Sequence, residues 1–481
     1  MRPRPLIPDP RSLLLGVLLT LACSSAPRRG DTVILASGAD LQSANPLLTT
    51  HPLARQVQRY ALLVTLIRYD SSLTPVPYLA RSWHWSEDRT TLTFRIFAGL
   101  RWHDGMPTTS RDALWTVQAA LDPVTGYPRR SDLGDLQDVA APNDTTLVLR
   151  WSGAQSAIPD VLTDLAIAPR HRLDSVPRDR LRQAGWNHRP VGNGPFRFVA
   201  YEPNRRWVFE ANPEFPLELG GPPRLARFVV AVVDEPTTKL AALTSGELDF
   251  AGINPAHAAF VRRNPELAVL DYPLLFSYAL VLNARRPPFD RLAARQAVAA
   301  AVDRAAIVDG VLFGFGTPAT GPLPPDLILP TSGITPTAPL PNRPTAQPTF
   351  QLLTVGSGEA ALEQMLQAQL ASAGITVTIR QLELSSYLDR VQGPAHDFDA
   401  AVMGIPGDLA LGHLSRTVAL AGLRAEGGSA HLVRLIHDSL PAIFLYHARG
   451  VQGMNRRVQG VRMDLRGELV SLSDWTVRGE R

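Results

Sequence analysis

The only cysteine of the chain, Cys23, directly follows an apolar run near the N-terminus, and this placement constrains the fold more than any other feature. Because there is no second cysteine, the 481 residues have no disulfide framework, and hydrophobic cores alone must hold the fold together. Hydrophobic residues make up 45% of the chain, which is enough for two or three lobes with cores of their own. The formal net charge is +4 and the arginines are scattered, so nucleic-acid binding has little support.

The N-terminal segment has the parts of a secretory signal. A basic stretch up to Arg11 is followed by SLLLGVLLTLA (12–22), and the small residue Ala22 precedes Cys23. The run is shorter than the ~20 apolar residues that cross a bilayer. It resembles the lipobox of bacterial lipoproteins, with Thr20 where Leu is usual, which implies acylation of Cys23. We therefore expect a signal peptide over 1–22 and a tether over 23–30. The alternative is an ordinary signal peptide, cleaved elsewhere, with an incidental cysteine.

Beyond the tether, hydrophobic periodicity predicts a mixed α/β chain. Residues 90–96 alternate between polar and apolar side chains, the pattern of a half-buried strand. Residues 109–121 predict a helix capped by Thr or Ser, with Asp112 in the first turn, where a carboxylate interacts favourably with the helix dipole. Residues 193–209 predict a β-hairpin, and residues 293–313, rich in Ala and Val, predict one long helix.

A proline-rich linker, residues 318–348, precedes a second α/β unit. Its predicted elements alternate along the chain: strand 349–355, helix 359–373, strand 375–382, helix 387–391 and strand 399–403. An alternation of strands and helices requires crossover connections, which favour parallel strands in one sheet. The sequence therefore predicts a parallel sheet in this unit.

Short motifs recur in a fixed order over nearly the whole chain that follows the tether. They are LTPVPYLARSW (73–83), GLRWHDG (99–105), GNGPFRF (192–198), TSGELD (244–249), LNARRPPFD (282–290) and PAIFLYH (441–447). Each motif alone is weak, but in this order they resemble the family 5 extracellular solute-binding proteins, the peptide- and nickel-binding class of bacterial ABC importers. We expect most of these residues to build the fold; His103, Asp104 and Gly105, for example, are expected to form a turn.

The resemblance implies an α/β, two-lobed periplasmic-binding-protein type II fold with an inserted subdomain in the first lobe. Lobe I would comprise 31–52, 191–272 and 448–481, the inserted subdomain 53–190, and lobe II 273–447. A small solute, foremost a short peptide, would bind in the cleft, and a hinge rotation would close the lobes over it. The implied partners are this ligand and the permease of an ABC transporter. The protein would be a monomer without a cofactor, held by its lipid at the periplasmic face of the cell envelope.

The resemblance also implies one ligand-binding carboxylate. Peptide binders of this family hold the peptide mainly by backbone hydrogen bonds, and an aspartate that follows a strand beginning Phe-Asp pairs with the ligand's amino terminus. In this chain FDAAVMGIPGD (398–408) places Asp408 at that position. A charge that is buried by closure needs such a partner. The alternative is an aspartate in a solvated loop.

Three further residues are candidates for ligand contact. Arg285 could bind a ligand carboxylate with two parallel hydrogen bonds, although a surface arginine is the alternative. Tyr278 and Asn283 lie on the strand that is expected to cross toward the cleft. We expect no metal site among the candidates.

Two other functional classes are alternatives to a transport protein. Lobe II is shortened near 410–431 relative to the family's usual course, so a non-transport lipoprotein, a sensor or scaffold with a degenerate pocket, is the alternative. The sequence contains no nucleophile elbow, no His-Glu-x-x-His motif and no convincing carboxylate pair. We therefore expect no enzymatic activity.

Overall fold

The computed structural model describes residues 30–49, 51–327, 346–356, 360–407, 411–424 and 429–478. The expected signal peptide, Cys23 and Asp408 lie outside these residues. The expected lobe boundaries stay predictions as well.

The described residues contain nineteen strands, which are short except for two. The strands are β1 (Thr32–Ser37), β2 (Ile67–Tyr69), β3 (Pro75–Pro77), β4 (Ala80–Trp85), β5 (Thr91–Ile96), β6 (Leu136–Asn143), β7 (Thr146–Trp151), β8 (Phe196–Glu202), β9 (Arg206–Ala211), β10 (Arg227–Val232), β11 (Phe250–Gly252), β12 (Leu267–Leu282), β13 (Gly316–Pro318), β14 (Thr349–Val355), β15 (Thr376–Leu382), β16 (Ala400–Pro406), β17 (Ala442–Asn455), β18 (Val458–Gln459) and β19 (Thr476–Val477).

The same residues contain twelve α-helices. They are α1 (Pro52–Val57), α2 (Ser110–Leu121), α3 (Val161–Asp164), α4 (Arg170–Leu173), α5 (Pro236–Thr244), α6 (Ala258–Arg263), α7 (Leu292–Ala301), α8 (Arg304–Leu312), α9 (Ala361–Ser372), α10 (Leu384–Val391), α11 (Gly412–Leu420) and α12 (Ser429–Ser439). A π-helical turn, Gln58–Leu62, continues α1.

One large sheet joins the two halves of the molecule. Its strand order is β15-β14-β16-β12-β17-β11-β1-β10-β9-β8, and β13 adds to β17. β12 and β17, with 16 and 14 residues, lie antiparallel in the middle of this order. At ~3.3 Å per residue β12 is about 50 Å long, enough to belong to both halves.

The hydrophobic core is divided between these halves. One cluster packs strands β1, β5, β7, β9 and β10 together with the C-terminal segment. Two others cover the opposite faces of the sheet around β12, with Leu280 and Leu282 on one face and Ala279 and Val281 on the other. Side chains of a strand alternate between faces, so this continuous apolar run belongs to a sheet that is covered on both sides.

A separate sheet, in the order β4-β5-β7-β6, lies in the first half and packs against α2. Thr109 caps this helix as predicted, because its hydroxyl accepts a hydrogen bond from the Arg111 amide, and Asp112 accepts one from the Thr109 amide at 2.9 Å. This reciprocal arrangement satisfies amide groups that a helix leaves unpaired at its start.

The second α/β unit confirms the parallel crossover sheet. β14 pairs in parallel with both β15 and β16, and α9 and α10 are the crossover helices between them. The helix predicted over 293–313 is wrong in one respect: α7 ends at Ala301 and α8 begins at Arg304. The break occurs because the Asp303 carboxylate accepts a hydrogen bond from the Ala306 amide at 3.0 Å, so Asp303 starts a new helix as its N-cap.

The two long strands change register where the halves meet. Pro273 pairs with Arg449, but the next regular pair is Ser277 with His447, so three residues of β12 lie opposite one residue of β17. The Ser277 hydroxyl and Nδ1 of His447 are 2.8 Å apart and buried. A local irregularity of this kind bends a strand and increases its twist.

Acid is expected to destabilise the protein through His447, which is 2% exposed. Burial lowers its pKa from 6.5 to about 4. Between these values the unfolded chain binds more protons, so the free energy of unfolding decreases as the pH falls from 6.5 toward 4. When the pH falls from 7 to 5, the free energy of unfolding should decrease in both proteins. The decrease should be smaller in His447→Gln than in the unsubstituted protein, by on the order of 1–2 kcal/mol.

Urea denaturation at the two pH values measures this difference. His84→Gln, at an exposed position, serves as the control and should behave like the unsubstituted protein. An equal loss of stability in His447→Gln and the control would contradict the assignment to His447.

Candidate functional site

A cavity of about 250 Å³ lies where the two halves meet. One side is formed by α1, the π-helical turn, β2, α3 and residues 464–467. The other side includes Leu274 and Leu275, at the register change of β12, and Gly407, directly after β16. Both halves therefore contribute to one cleft, and the cleft adjoins the irregular part of the strands that connect them.

A cluster of ionic groups forms one wall of the cleft around Asp164, whose side chain is 6% exposed. Arg55 of α1 and Arg59 of the π-helical turn both donate hydrogen bonds to its carboxylate. Nη1 of Arg129 also donates to it, at 2.9 Å. Burial alone would raise the pKa of Asp164, but the three guanidinium groups outweigh burial and lower it well below 3.8. Asp164 is therefore ionised at neutral pH.

Arg129 extends the cluster to two more carboxylates. Its Nη2 donates to Asp160 at 3.2 Å and its Nε donates to Asp132 at 2.6 Å. Burial raises the pKa of Asp160, against the effect of Arg129, and the charge of Asp164 raises it further. The cluster therefore neutralises most of its own charge, which is the condition for placing several ionic groups in a partly buried wall.

Residues 464–467 are attached to the same wall. The Arg466 carbonyl accepts hydrogen bonds from Nη2 of Arg59 and, at 3.1 Å, from the Tyr60 hydroxyl. The Arg466 guanidinium pairs with Asp464 at 2.6 Å and donates to the Tyr69 carbonyl at 3.2 Å. This C-terminal segment therefore has a defined position in the cleft, although it is about 400 residues away in sequence.

Arg68 of β2 also lines the cleft, and aromatic rings hold it. Its guanidinium carbon is 3.3 Å from the centroid of the Tyr78 ring and 6.0 Å from that of Tyr60. Arginine over an aromatic face is a favourable cation–π arrangement. Burial raises the pKa of Tyr78, against the effect of Arg68, so the phenol is neutral at physiological pH.

Tight backbone packing positions the helical wall. A Cβ on Gly194 would lie 2.4 Å from the Ala61 carbonyl oxygen, so only glycine fits where the GNGPFRF motif passes the end of the π-helical turn. The Gly194 carbonyl accepts a hydrogen bond from Nε2 of His103 at 3.0 Å. His103 therefore has a structural role, although its partner is 91 residues away in sequence rather than local as expected, and burial lowers its pKa to about 4.

The structure places three of the four candidate ligand residues, and none of the three lines the cavity. Asn283 is 1% exposed, and its side-chain amide donates to the carbonyls of His396 and Phe398, both at 2.9 Å. Arg285 donates to the carbonyls of Leu420 and Ala419 at 2.7 and 2.8 Å. These bonds give both residues structural partners within the second half.

Tyr278 stacks on Tyr446 with ring centroids 4.9 Å apart, and burial raises its pKa. Asp408 lies outside the described residues, but Gly407 before it lines the cavity, with its amide donating to the Leu275 carbonyl at 2.7 Å. A ligand role for these four residues stays a prediction.

Sequence reasoning missed the ionic wall. Arg55 and Arg59 are one helical turn apart, a spacing that puts both side chains on one face, and this was the only local signal. Their partner Asp164 follows more than 100 residues later, so sequence alone could not show that the three meet.

Two further observations concern what the described part of the chain could hold. It contains no group of three or more His, Cys, Asp or Glu side chains arranged to bind a metal ion. None of its helices has the length and apolar character that spanning a bilayer requires.

Comparison with known proteins identifies the family. The profile of bacterial extracellular solute-binding proteins, family 5 (middle region), matches residues 74–413. A relative from Brucella ovis, whose name describes an ABC transporter peptide-binding protein, is 30% identical over 277 residues, or 57% of this chain. That match covers 51% of the relative, so the chain spans about half the length of the curated relatives it matches first. Di/tripeptide-binding protein 2 of Pseudomonas aeruginosa is 26% identical over 79% of this chain and 74% of its own length.

A solved structure has the same fold. The ABC transporter substrate-binding protein CtaP of Listeria monocytogenes superposes with a TM-score of 0.81 at 19% identity, over 93% of this chain and 99% of CtaP. The mixed α/β, two-lobed fold expected from the sequence is thereby confirmed. Members of this family are binding proteins, which agrees with the expectation that the chain is not an enzyme. The chain belongs to the bacterial extracellular solute-binding proteins of family 5.

Proposed function

We propose that this protein captures a small solute, a short peptide, in the cleft between its lobes and delivers it to the permease of an ABC importer. The observation that carries this proposal is the cavity of about 250 Å³ whose walls come from both halves of the chain. Its size falls below the ~300–1,000 Å³ of pockets for drug-sized ligands, which favours a solute of a few residues. The named peptide-binding relatives support the same solute class.

Capture and release would depend on the hinge. Closure of the lobes would remove the solute from water and produce the conformation that a permease recognises. The register change beside Leu274 and Leu275 supports this proposal, because it places an irregular strand segment at the edge of the cavity.

Binding of peptides should be visible as stabilisation of the folded protein. A ligand present at 100 times its dissociation constant adds about 2.7 kcal/mol to the free energy of unfolding. Thermal denaturation with a library of di- to tetrapeptides tests the proposal. If no peptide raises the melting temperature, the alternative proposal of a sensor or scaffold with a degenerate pocket is favoured.

Asp408 provides a sharper test of how the peptide is held. If its carboxylate pairs with the ligand's ammonium group, Asp408→Asn should weaken peptides with a free amino terminus by about tenfold or more, because a charged hydrogen bond is lost. N-acetylated forms of the same peptides should bind almost equally to both proteins. Calorimetric titration measures both affinities, and an equal loss for free and acetylated peptides would remove Asp408 from this role.

We also propose that Cys23 is acylated and holds the protein at the periplasmic face of the envelope. The sequence SLLLGVLLTLA before Cys23 supports this assignment. Mass spectrometry of the N-terminal peptide from membranes tests it, with Cys23→Ser as the variant that should release the protein from the membrane fraction. An N-terminal peptide without a fatty acid would contradict it.

A further inference from the structure

Arg68 differs from the other arginines of the cleft because it lacks an acidic partner among the described residues. Arg55, Arg59 and Arg129 share Asp164, and Arg466 pairs with Asp464. Arg68 contacts the Tyr78 and Tyr60 rings instead, and its Nε atom is buried without an acceptor. The described lining thus has one guanidinium whose charge no carboxylate balances.

The charges around the cavity favour an anion. Five arginines and three aspartates line it, and Asp132, behind Arg129, supplies a fourth carboxylate. All four carboxylates already accept hydrogen bonds from the arginines other than Arg68, and Oδ1 of Asp160 is buried without a further partner. A group with negative charge would balance the remaining positive charge and avoid the cost of leaving it unpaired when the cleft closes.

The geometry of Arg68 suits a carboxylate. The guanidinium lies over the Tyr78 ring with Nε buried, and no described residue accepts a hydrogen bond from its two Nη groups, which could therefore form two parallel hydrogen bonds with a carboxylate. The Tyr78 and Tyr60 rings also restrict the side chain before a ligand arrives, which reduces the conformational entropy lost on binding. β2 pairs with β3, with Arg68 opposite Val76, so the backbone position of Arg68 is fixed as well.

We propose that Arg68 is the anion-binding residue of the cleft and that it selects solutes with a carboxylate. The inference rests on the proposed function, in which the carboxylate is the C-terminus of a short peptide. The same chemistry would recognise a small organic acid, and the experiment distinguishes these two sources.

The test compares three pools of probes by thermal denaturation over a concentration series. They are free-acid tripeptides, the same tripeptides as C-terminal amides, and small mono- and dicarboxylic acids. The proteins are the unsubstituted chain, Arg68→Gln, Arg68→Lys and Arg81→Gln. Arg81 is the matched control, because its guanidinium carbon lies 4.4 Å from the centroid of the Phe97 ring but it does not line the cavity.

The free-acid tripeptides are expected to raise the melting temperature of the unsubstituted protein. The amides should need about tenfold higher concentrations for the same rise, because they cannot form the charged hydrogen bond with the guanidinium. Arg68→Gln should lose this preference, Arg68→Lys should keep part of it, and Arg81→Gln should keep all of it. Arg68→Lys keeps the positive charge. The melting temperatures of the variants without ligand show whether a variant has lost folding stability rather than binding.

The other outcomes are distinct. A shift with the organic acids alone, lost in Arg68→Gln, would support the anion site and reject the peptide as solute. Equal rises in melting temperature with the free-acid tripeptides and their amides would overturn the role of Arg68 but not the peptide proposal. An unchanged preference for the free-acid tripeptides in Arg68→Gln would do the same. No shift with any pool would overturn both.

Discussion

Replacement of Asp164 by Asn is expected to lower the free energy of unfolding by about 3–5 kcal/mol, because a buried ionic cluster would lose its central anion. Arg55, Arg59 and Arg129 all donate to this carboxylate. In the variant their positive charges would face one another across a neutral amide with only Asp160 and Asp132 as compensation. Urea denaturation at neutral pH measures the loss.

The control for this prediction is an exposed ion pair of the same type. Asp144 pairs with Arg111 at 3.0 Å, and their side chains are 65% and 58% exposed, so Asp144→Asn should cost about 0–1 kcal/mol. Similar losses for both variants would show that Asp164 is no more important than a surface aspartate.

The effect of Asp164→Asn should also depend on pH. Because the folded-state pKa of Asp164 is lowered, its contribution to stability is complete above the unfolded-state pKa of about 3.9 and decreases as the pH falls below it. The difference between variant and unsubstituted protein should therefore shrink in acid. A constant difference from pH 7 to below pH 3 would argue against an ionised Asp164.

Trp475→Ala is expected to cost about 3–5 kcal/mol of unfolding free energy, because it removes a large, fully buried side chain and leaves a cavity. Trp475 is 0% exposed and stacks on Phe250 with ring centroids 4.7 Å apart, and its ring is nearly perpendicular to that of Phe228, with centroids 6.3 Å apart. It thereby attaches the last described segment of the chain to strands β10 and β11. Urea denaturation followed by far-UV circular dichroism, which reports on the backbone, measures the loss.

Two companion variants separate packing from other effects. Trp475→Phe keeps much of the volume and should lose less than Trp475→Ala, although the indole hydrogen bond to the Ser471 hydroxyl at 3.0 Å disappears. Leu217→Ala, at a position 83% exposed, should change stability by less than about 0.5 kcal/mol. A loss below about 1 kcal/mol for Trp475→Ala would mean that the segment is not part of the core.

Local elements could be predicted because their signals lie within a few residues. The Thr109 cap with Asp112, the alternating strand near 91–96 and the strand–helix order of the second unit were all recognisable in the sequence and are present in the structure. Capping and alternation depend on neighbours one to four residues away, so the sequence contains all the information they need.

Other elements were harder to predict. The strand that carries Tyr278 was expected, but the 16 residues of β12 and the 14 residues of β17 were not predicted. Pro273 lies within β12 at the register change, where a proline can be accommodated in a strand. The helix break at Asp303 was also missed, because an aspartate can be either a helix surface residue or a cap.

The sequence by itself indicated the two-lobed α/β class, through motifs that resemble those of a known family, and the parallel arrangement of the second unit, through the order of its elements. Only the tertiary structure decided the cleft. Arg55, Arg68, Asp164 and Arg466 are spread over more than 400 residues and meet because the segment after β17 packs back against the first wall of the cleft. The strength of an ionic contact depends on distance and on exclusion of water, and both arise only when the chain has folded.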